Sequence, residues 1–198
     1  MKTMPVTPDD LARSVLAVPP LARNADLILN KAANQALVKH LEAGGVSTLM
    51  YGGNANFYNI GAGEYPAILD MLEEIAGPQS WVIPSIGPDF GRAIDQVKIL
   101  RDRAFPTAMV LPLQFPSTPE GAEAGIRRIV ETYAKPVIVY IKNEGFLEPE
   151  NVARLFEAGM VAGVKYAIVR DDPRRDDYLS ELVKLVDPRH IVSGIGER

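Results

Sequence analysis

The chain has 198 residues with 16 Gly, 16 Pro and no Cys, is 47% hydrophobic and 23% charged, and sets 21 basic against 25 acidic residues for a formal charge of −4. That composition is of a soluble globular protein, neither collagenous nor disordered, and the missing cysteines exclude thiol nucleophiles, disulfides, Cys-ligated zinc and iron–sulfur clusters. His40 and His190 are the only histidines, too few for a histidine-rich metal site, and the acidic balance gives nucleic acid no electrostatic footing.

A chain of this length buries about 70% of its unfolded surface, enough for a core without covalent staples. Residues 1–10 are polar and lack the basic-then-apolar layout of a secretory signal. No apolar stretch approaches the ~18 residues of a membrane span. The expectation is one domain over 1–198, cytoplasmic, with no membrane and no nucleic-acid partner.

Short apolar runs, each closed by Gly, Pro or polar residues and separated by longer stretches, organise the chain. The first is 14–19 (SVLAVP). A helix is expected over 26–43, with Leu27, Leu29, Ala33, Leu37 and Leu41 at helical spacing and a stop at Gly44-Gly45, where glycine accepts the left-handed cap. The second run, 47–51 (STLMY), leads into Gly52-Gly53-Asn54-Ala55-Asn56, and 81–86 (WVIPSI) and 107–113 (TAMVLPL) follow. Ser117-Thr118-Pro119-Glu120 then has capping-box spacing, ahead of Ile126, Ile129, Val130 and Tyr133 on one face. After 136–142 (PVIVYIK), Glu148-Pro149-Glu150 opens a helix carrying Val152, Leu155 and Phe156 and closed at Gly159. After 161–169 (VAGVKYAIV), Asp172-Pro173 opens another over 178–186, and 190–195 (HIVSGI) is the last run.

These runs are apolar on both faces, as parallel strands covered by helices must be. Their spacing of about 30 residues is that of one βα unit. Seven units in series predict an α/β fold, a (β/α)8-type TIM barrel that is incomplete, since that architecture has eight strands and about 250 residues. The competitor is a doubly wound sheet; no strand is followed by the glycine-rich phosphate loop such sheets use for nucleotides.

Either architecture gathers its chemistry at the carboxyl ends of the strands. Lys165 lies inside an otherwise apolar strand, with Gly163 and Ala167 as small neighbours on its own face. A poorly solvated ammonium has a lowered pKa and exposes the neutral amine that attacks carbonyl carbon. The alternative is a structural lysine, paired with an interior carboxylate or snorkelling. Tyr140, one strand earlier and on one face with Ile138 and Lys142, is either a proton shuttle or a packing residue. Gly52–Asn56 either turns tightly and aims backbone N–H groups and Asn side chains at an anion or simply builds a loop. His190 starts a strand at the end away from such a site, His40 sits near a helix C-terminus and interacts with its dipole, and Trp81 and the methionines read as core. Residues 170–177 (RDDPRRDD) read as a solvated, self-neutralising loop.

The order of motifs resembles the dihydrodipicolinate synthase and N-acetylneuraminate lyase family of class I aldolases. Val137-Ile-Val-Tyr140 is similar to the family's strand-five tyrosine context, Pro149-Glu-Asn-Val-Ala-Arg-Leu155 to the helix after it, Val161-Ala-Gly-Val-Lys165 to its Schiff-base strand, and Val192-Ser-Gly194 to its strand seven. The resemblance implies that Lys165 forms an imine with pyruvate or another 2-oxo acid and that Tyr140 relays protons. It further implies that Gly53, Asn54, Ala55 and Asn56 hold the substrate carboxylate, with Gly194 near the bound substrate. The imine is itself the electron sink, so no metal or organic cofactor is implied, and the assembly would be a homo-oligomer, a tetramer built from dimers.

The departures point away from a lysine-pathway synthase. The family's threonine-bearing G-T-T-G-E loop is Gly52–Asn56 here, its Tyr-Tyr pair after strand four is Leu113-Gln114, and the arginine expected beyond the catalytic tyrosine is Gly145. Lys142 or Arg170 is then the candidate for the missing positive charge. A 2-keto-3-deoxy sugar-acid aldolase or dehydratase fits these changes, and a non-catalytic family member or barrel fragment is the reading from another class. The sequence stops at Arg198, just after the seventh run, so an eighth strand and the family's C-terminal helices are expected to be missing, leaving the first and seventh strands with open edges.

Overall fold

Each apolar run supplies a strand: β1 (Leu16–Ala17), β2 (Thr48–Tyr51), β3 (Trp81–Ile86), β4 (Met109–Val110), β5 (Val137–Ile141), β6 (Val161–Tyr166) and β7 (Ile191–Ser193). The computed structural model describes residues 1–113 and 116–195. The expectations placed on Gln114 and on 196–198 lie outside the described residues. All seven strands pair in parallel in the order β1-β2-β3-β4-β5-β6-β7. A doubly wound sheet reverses its strand order at a switch point, so the sequential order decides for the barrel type. Within the described residues β1 and β7 each pair on one side only.

Two strands are shorter than their runs, and proline is the reason. Leu111 N–H still donates to Ile86 O at 3.0 Å, one step past β4. Pro112 follows it with no N–H to continue the ladder, and Pro19 and Pro20 follow β1 in the same way.

The helices are α1 (Pro8–Ala12), α2 (Lys31–Ala43), α3 (Tyr65–Ile75), α4 (Phe90–Arg101), α5 (Pro119–Tyr133), α6 (Pro149–Glu157) and α7 (Asp177–Leu185). The helix expected from residue 26 begins at Lys31 instead. Asn30 caps it by accepting from Ala33 N–H at 3.0 Å, and the buried Asn34 bonds both polar groups of Ala22, at 2.9 Å each. Residues before Asn30 are thereby held in a loop closed by an Arg23–Leu29 bridge, with Leu27 at φ +67°. Likewise α7 is capped by Asp176, not by Asp172-Pro173, and α5 by Thr118. Gly45 takes φ +85° where α2 stops.

The main core fills the space between strands and helices, with Leu49, Tyr51, Val82, Val139, Ile141 and Val164 all buried. A smaller cluster of Val6, Leu11 and Trp81, packed by Leu16 and Val192, closes the amino-terminal end of the strands, so α1 acts as a plug. Met50, Met71 and Met109 are core as expected; Met4 is not, and lies exposed. His190 precedes β7 at this same end, its Nδ1 3.1 Å from Ala162 O and its ring 5.2 Å from that of Phe156. Among the described residues no helix is long and apolar enough to cross a membrane.

Glu123 ties α5 to α6. Its carboxylate accepts from Arg127 at 2.8 Å, Arg154 at 2.7 Å and Asn151 at 2.9 Å. The Arg154 hydrogen bonds, then those of Asn151 and Arg127, overcome burial and hold the carboxyl at about 2, against an ordinary 4.5. Because this pKa is depressed, the stabilisation is complete above the unfolded value and is lost as pH falls toward 2. Glu123→Gln is expected to cost about 2 kcal/mol at neutral pH and to flatten acid unfolding in that window, measured by urea denaturation from neutral to acid. An unchanged acid limb would show that the cluster is not coupled to folding.

Candidate functional site

Lys165 is the one lysine on the inward face of the strands: β6 sets it opposite Tyr140 of β5 and Val192 of β7 in register. It is 8% exposed and lines a cavity of about 190 Å3 together with Leu16, Val18, Met50, Val192 and Gly194. The cavity therefore opens between the two edge strands. Among the described residues no carboxylate forms an ion pair with Lys165, which removes the paired structural lysine. Its Nζ stands 4.6 Å from the centroid of the Tyr140 ring. A π face favours the ammonium, yet burial outweighs it, and with the nearby charge of Lys142 it holds the amine below its ordinary 10.5. Desolvation wins because most of the lining is hydrocarbon.

Gly194 is fitted against this lysine. A Cβ there would stand 2.6 Å from Lys165 Cε and 2.9 Å from Cγ. Its N–H donates to Tyr166 O at 2.6 Å, so β6 itself fixes the residue that flanks the amine.

The segment after β2 folds into two 3-10 turns, Gly53–Ala55 and Phe57–Asn59, with Asn56 left-handed at φ +57° between them. Asn54 Nδ2 donates to Val18 O at 3.2 Å and so ties this loop to the amine's cavity. Tyr58 lies over it, a ring carbon 3.7 Å from where a Cβ of Gly53 would be. Burial, and then the neighbouring Tyr140, push the Tyr58 phenol up to about 12, while burial alone raises Tyr140. Both phenols are proton donors at neutral pH. A larger apolar groove, about 460 Å3 and including Phe90, Leu111, Ile126 and Ile129, lies between α4 and α5 and has no titratable group in its described lining. It is not where chemistry would occur.

The sequence profile of the Dihydrodipicolinate synthetase family matches residues 13–196. The chain belongs to this family. A search of curated protein sequences finds no significant match. Among solved structures it is similar to a dihydrodipicolinate synthase from Oceanobacillus iheyensis, at 20% identity and TM-score 0.74, over 90% of this chain and 58% of that one. It is also similar to a 2-keto 3-deoxygluconate aldolase from Picrophilus torridus, at 19% identity and TM-score 0.76, over 92% of this chain and 66% of that one. A third is a prophage protein of the dihydrodipicolinic acid synthase family from E. coli K12, in complex with pyruvate, at 19% identity and TM-score 0.77, over 89% of this chain and 62% of that one. At these identities the likeness is one of fold. The chain spans about six-tenths of the length of these structures, from 58% to 66%.

Of the residues expected at the site, Lys165, Tyr140 and Gly194 are brought together, and Asn54 reaches the cavity wall through Val18 O. Ala55 and Asn56 are not substrate-facing donors as expected: their N–H groups donate to Gly52 O and Gly53 O, at 3.1 and 2.9 Å. Ala55 is buried, and Asn56 Oδ1 accepts from Asn59 at 2.6 Å. The turn consumes them because a 3-10 turn closes its own hydrogen bonds, which leaves the N–H groups of Gly53 and Asn54 for an anion. Lys142 lies exposed just past β5. Arg170 is committed to Glu144 and Asp176 and does not supply the extra positive charge.

Residues 170–177 are only partly the solvated loop expected. Asp176 is buried, accepting from Tyr166 Oη at 2.6 Å and Arg170 at 3.1 Å. Sequence reasoning also missed Tyr58 and Arg92, whose Nη1 donates to Tyr58 O at 2.9 Å. A phenol in the loop following a strand's carboxyl end was the available signal for Tyr58; nothing local marks Arg92.

Proposed function

We propose that the chain is a Schiff-base-forming lyase or aldolase acting on pyruvate or another 2-oxo acid. The observation that carries this is the desolvated amine of Lys165, with no carboxylate partner among the described residues, beneath a phenol and in a cavity sized for a small molecule. The neutral amine attacks the ketone carbon, forming the C–N bond and a carbinolamine. Loss of its hydroxyl as water, with a proton from Tyr140, gives the iminium. That iminium accepts the electron pair released when a proton or a carbon substituent leaves C3, so the same intermediate serves cleavage, condensation or dehydration. Gly53 and Asn54 N–H groups hold the carboxylate, and Lys142 supplies a cation at the rim. The pyruvate complex of the prophage relative supports a 2-oxo acid. Leu113 and Gly145, where the synthases carry a tyrosine and an arginine, favour cleavage or dehydration of a sugar-derived 2-oxo acid over condensation of pyruvate with aspartate semialdehyde.

Sodium borohydride reduction with pyruvate, followed by peptide mass mapping, tests the reading. An adduct on Lys165 is expected; none in a folded sample would mean a non-catalytic barrel. The trapping rate should rise with pH through an apparent pKa below the ordinary 10.5. Lys142→Ala removes a like charge, so it should raise that pKa and move the curve to higher pH, with KM for the oxo acid increased. An unmoved curve and unchanged KM would take Lys142 out of the site.

A further inference from the structure

We propose that Ser85 binds the substrate carboxylate together with the Gly53 and Asn54 N–H groups, its hydroxyl supplying a third donor; this rests on the imine-forming reading of Lys165. Strand register puts that hydroxyl on the inward face of the sheet. Ser85 pairs with Met109 and Met109 with Ile138, which shares its face with Tyr140, the residue opposite Lys165. From the other side, Met50 lines the amine's cavity and pairs with Ile83, which shares its face with Ser85. Both routes set Ser85 inward, next to the last residue of β3 and so at the carboxyl end of the strands.

There it meets the anion turn. Tyr51 pairs with Pro84, so the next step along both strands brings Gly52 beside Ser85, and Ser85 Oγ lies 3.4 Å from where a Cβ of Gly52 would be. The turn springs from Gly52, whose carbonyl accepts from Ala55 and Phe57 N–H at 3.1 and 3.2 Å, and the two N–H groups left for an anion come directly after it. Residues 52–56 carry no hydroxyl of their own; Ser85 brings one from the neighbouring strand. The Met109 methyl meets the same Gly52 Cβ position at 2.7 Å, and its unbranched thioether chain is the group that yields as a carboxylate enters.

Ser85 is wholly buried and its carbonyl is held by Tyr65 Oη at 3.1 Å, yet its hydroxyl has no partner among the described residues. A buried hydroxyl left unpaired destabilises a fold. Those of Ser80, Thr107, Ser117 and Ser180 are all donated, at 2.6 to 3.2 Å, to a carboxylate or a backbone carbonyl. Thr48 and Tyr51 also carry unpaired hydroxyls, but Thr48 pairs with Trp81 at the amino-terminal end of the strands, and Tyr51 alternates with Met50 and faces outward. Ser85 is therefore the unpaired hydroxyl that combines the inward face with the carboxyl end. A carboxylate has lone pairs to spare beyond two N–H donors, and a hydrogen bond to the ionised group is stronger than one to a neutral acceptor.

The test is borohydride trapping of the whole chain with pyruvate and with acetone, a ketone without the carboxylate, beside thermal unfolding. Ser85→Ala is expected to raise the half-saturating concentration of pyruvate about 10-fold or more, the loss that follows removal of a hydrogen bond to a charged group. Trapping of acetone should be unchanged, and the unfolding midpoint unchanged or raised, because the hydroxyl has no partner in the fold to lose. A half-saturating pyruvate concentration within twofold of wild type would overturn the proposal. So would an equal loss with pyruvate and acetone, or a lowered midpoint, since either assigns the hydroxyl to the fold. If the wild-type protein gives no pyruvate adduct, the imine reading itself has failed and this role with it, whereas a wild-type adduct that Ser85→Ala leaves untouched sinks this proposal alone.

Discussion

Lys165→Met is expected to abolish the borohydride-trapped adduct, to cut turnover by more than about 10⁴-fold, the order lost when a covalent nucleophile is removed, and at the same time to stabilise the fold. The two effects have one cause. The amine is buried in a lining of Leu16, Val18, Met50 and Val192 with no carboxylate partner among the described residues, so the folded state carries a desolvation cost that a thioether of similar length does not. Removing it should raise stability by about 1 kcal/mol, the usual scale when a functional site is relieved of its strain. Thermal unfolding and a trapping assay on the same preparation read both. Activity and stability falling together would assign Lys165 a structural role, because a lysine that holds the barrel together cannot be replaced by methionine without loss.

Gly194→Ala is the second large effect, and it separates placement of the amine from its presence. The new Cβ would meet Lys165 Cε at 2.6 Å, Cγ at 2.9 Å and Ala167 Cβ at 3.2 Å. The backbone cannot retreat easily, because Gly194 N–H is bonded to Tyr166 O at 2.6 Å. The lysine is what yields, and Tyr140 on its other side leaves little room to yield into. A displacement of about 1 Å at a reacting atom costs about 100-fold in rate. The expected result is a trapping rate about 100-fold lower, with the adduct still on Lys165 and the unfolding midpoint little changed. Wild-type trapping in Gly194→Ala would mean that the lysine swings freely and that its pairing with β7 is not catalytic.

Much of this arrangement was legible in the sequence because it depends on local pattern. Runs such as 136–142 and 161–169 are apolar on both faces, which only a sheet covered on both sides satisfies, and a lysine interrupting such a run has few places to go. The helix expected from residue 26 failed for a reason equally physical. Leu29 keeps the four-residue spacing of Ala33, Leu37 and Leu41, but Asn34 is claimed by Ala22 and Asn30 caps at its own position, and these contacts across the loop override the periodicity. The anion turn was half legible: its glycines and asparagines announced a tight loop, but which N–H groups the loop spends on itself depends on 3-10 geometry that composition does not carry.

By itself, then, the sequence determined the class of the fold, the strand that bears the amine and the tyrosine on the strand before it, because side-chain alternation and βα spacing act over a few residues at a time. Only the tertiary structure decided the strand order, the commitment of Arg170 to Glu144 and Asp176 and the press of Gly194 against Lys165. Apart from the Arg170–Asp176 pair, six residues apart, these contacts join positions 26 and 29 residues apart in the chain or depend on how strands are ordered around the sheet. Burial and register, which no local pattern encodes, are what turn a lysine in an apolar strand into an amine held below its ordinary pKa.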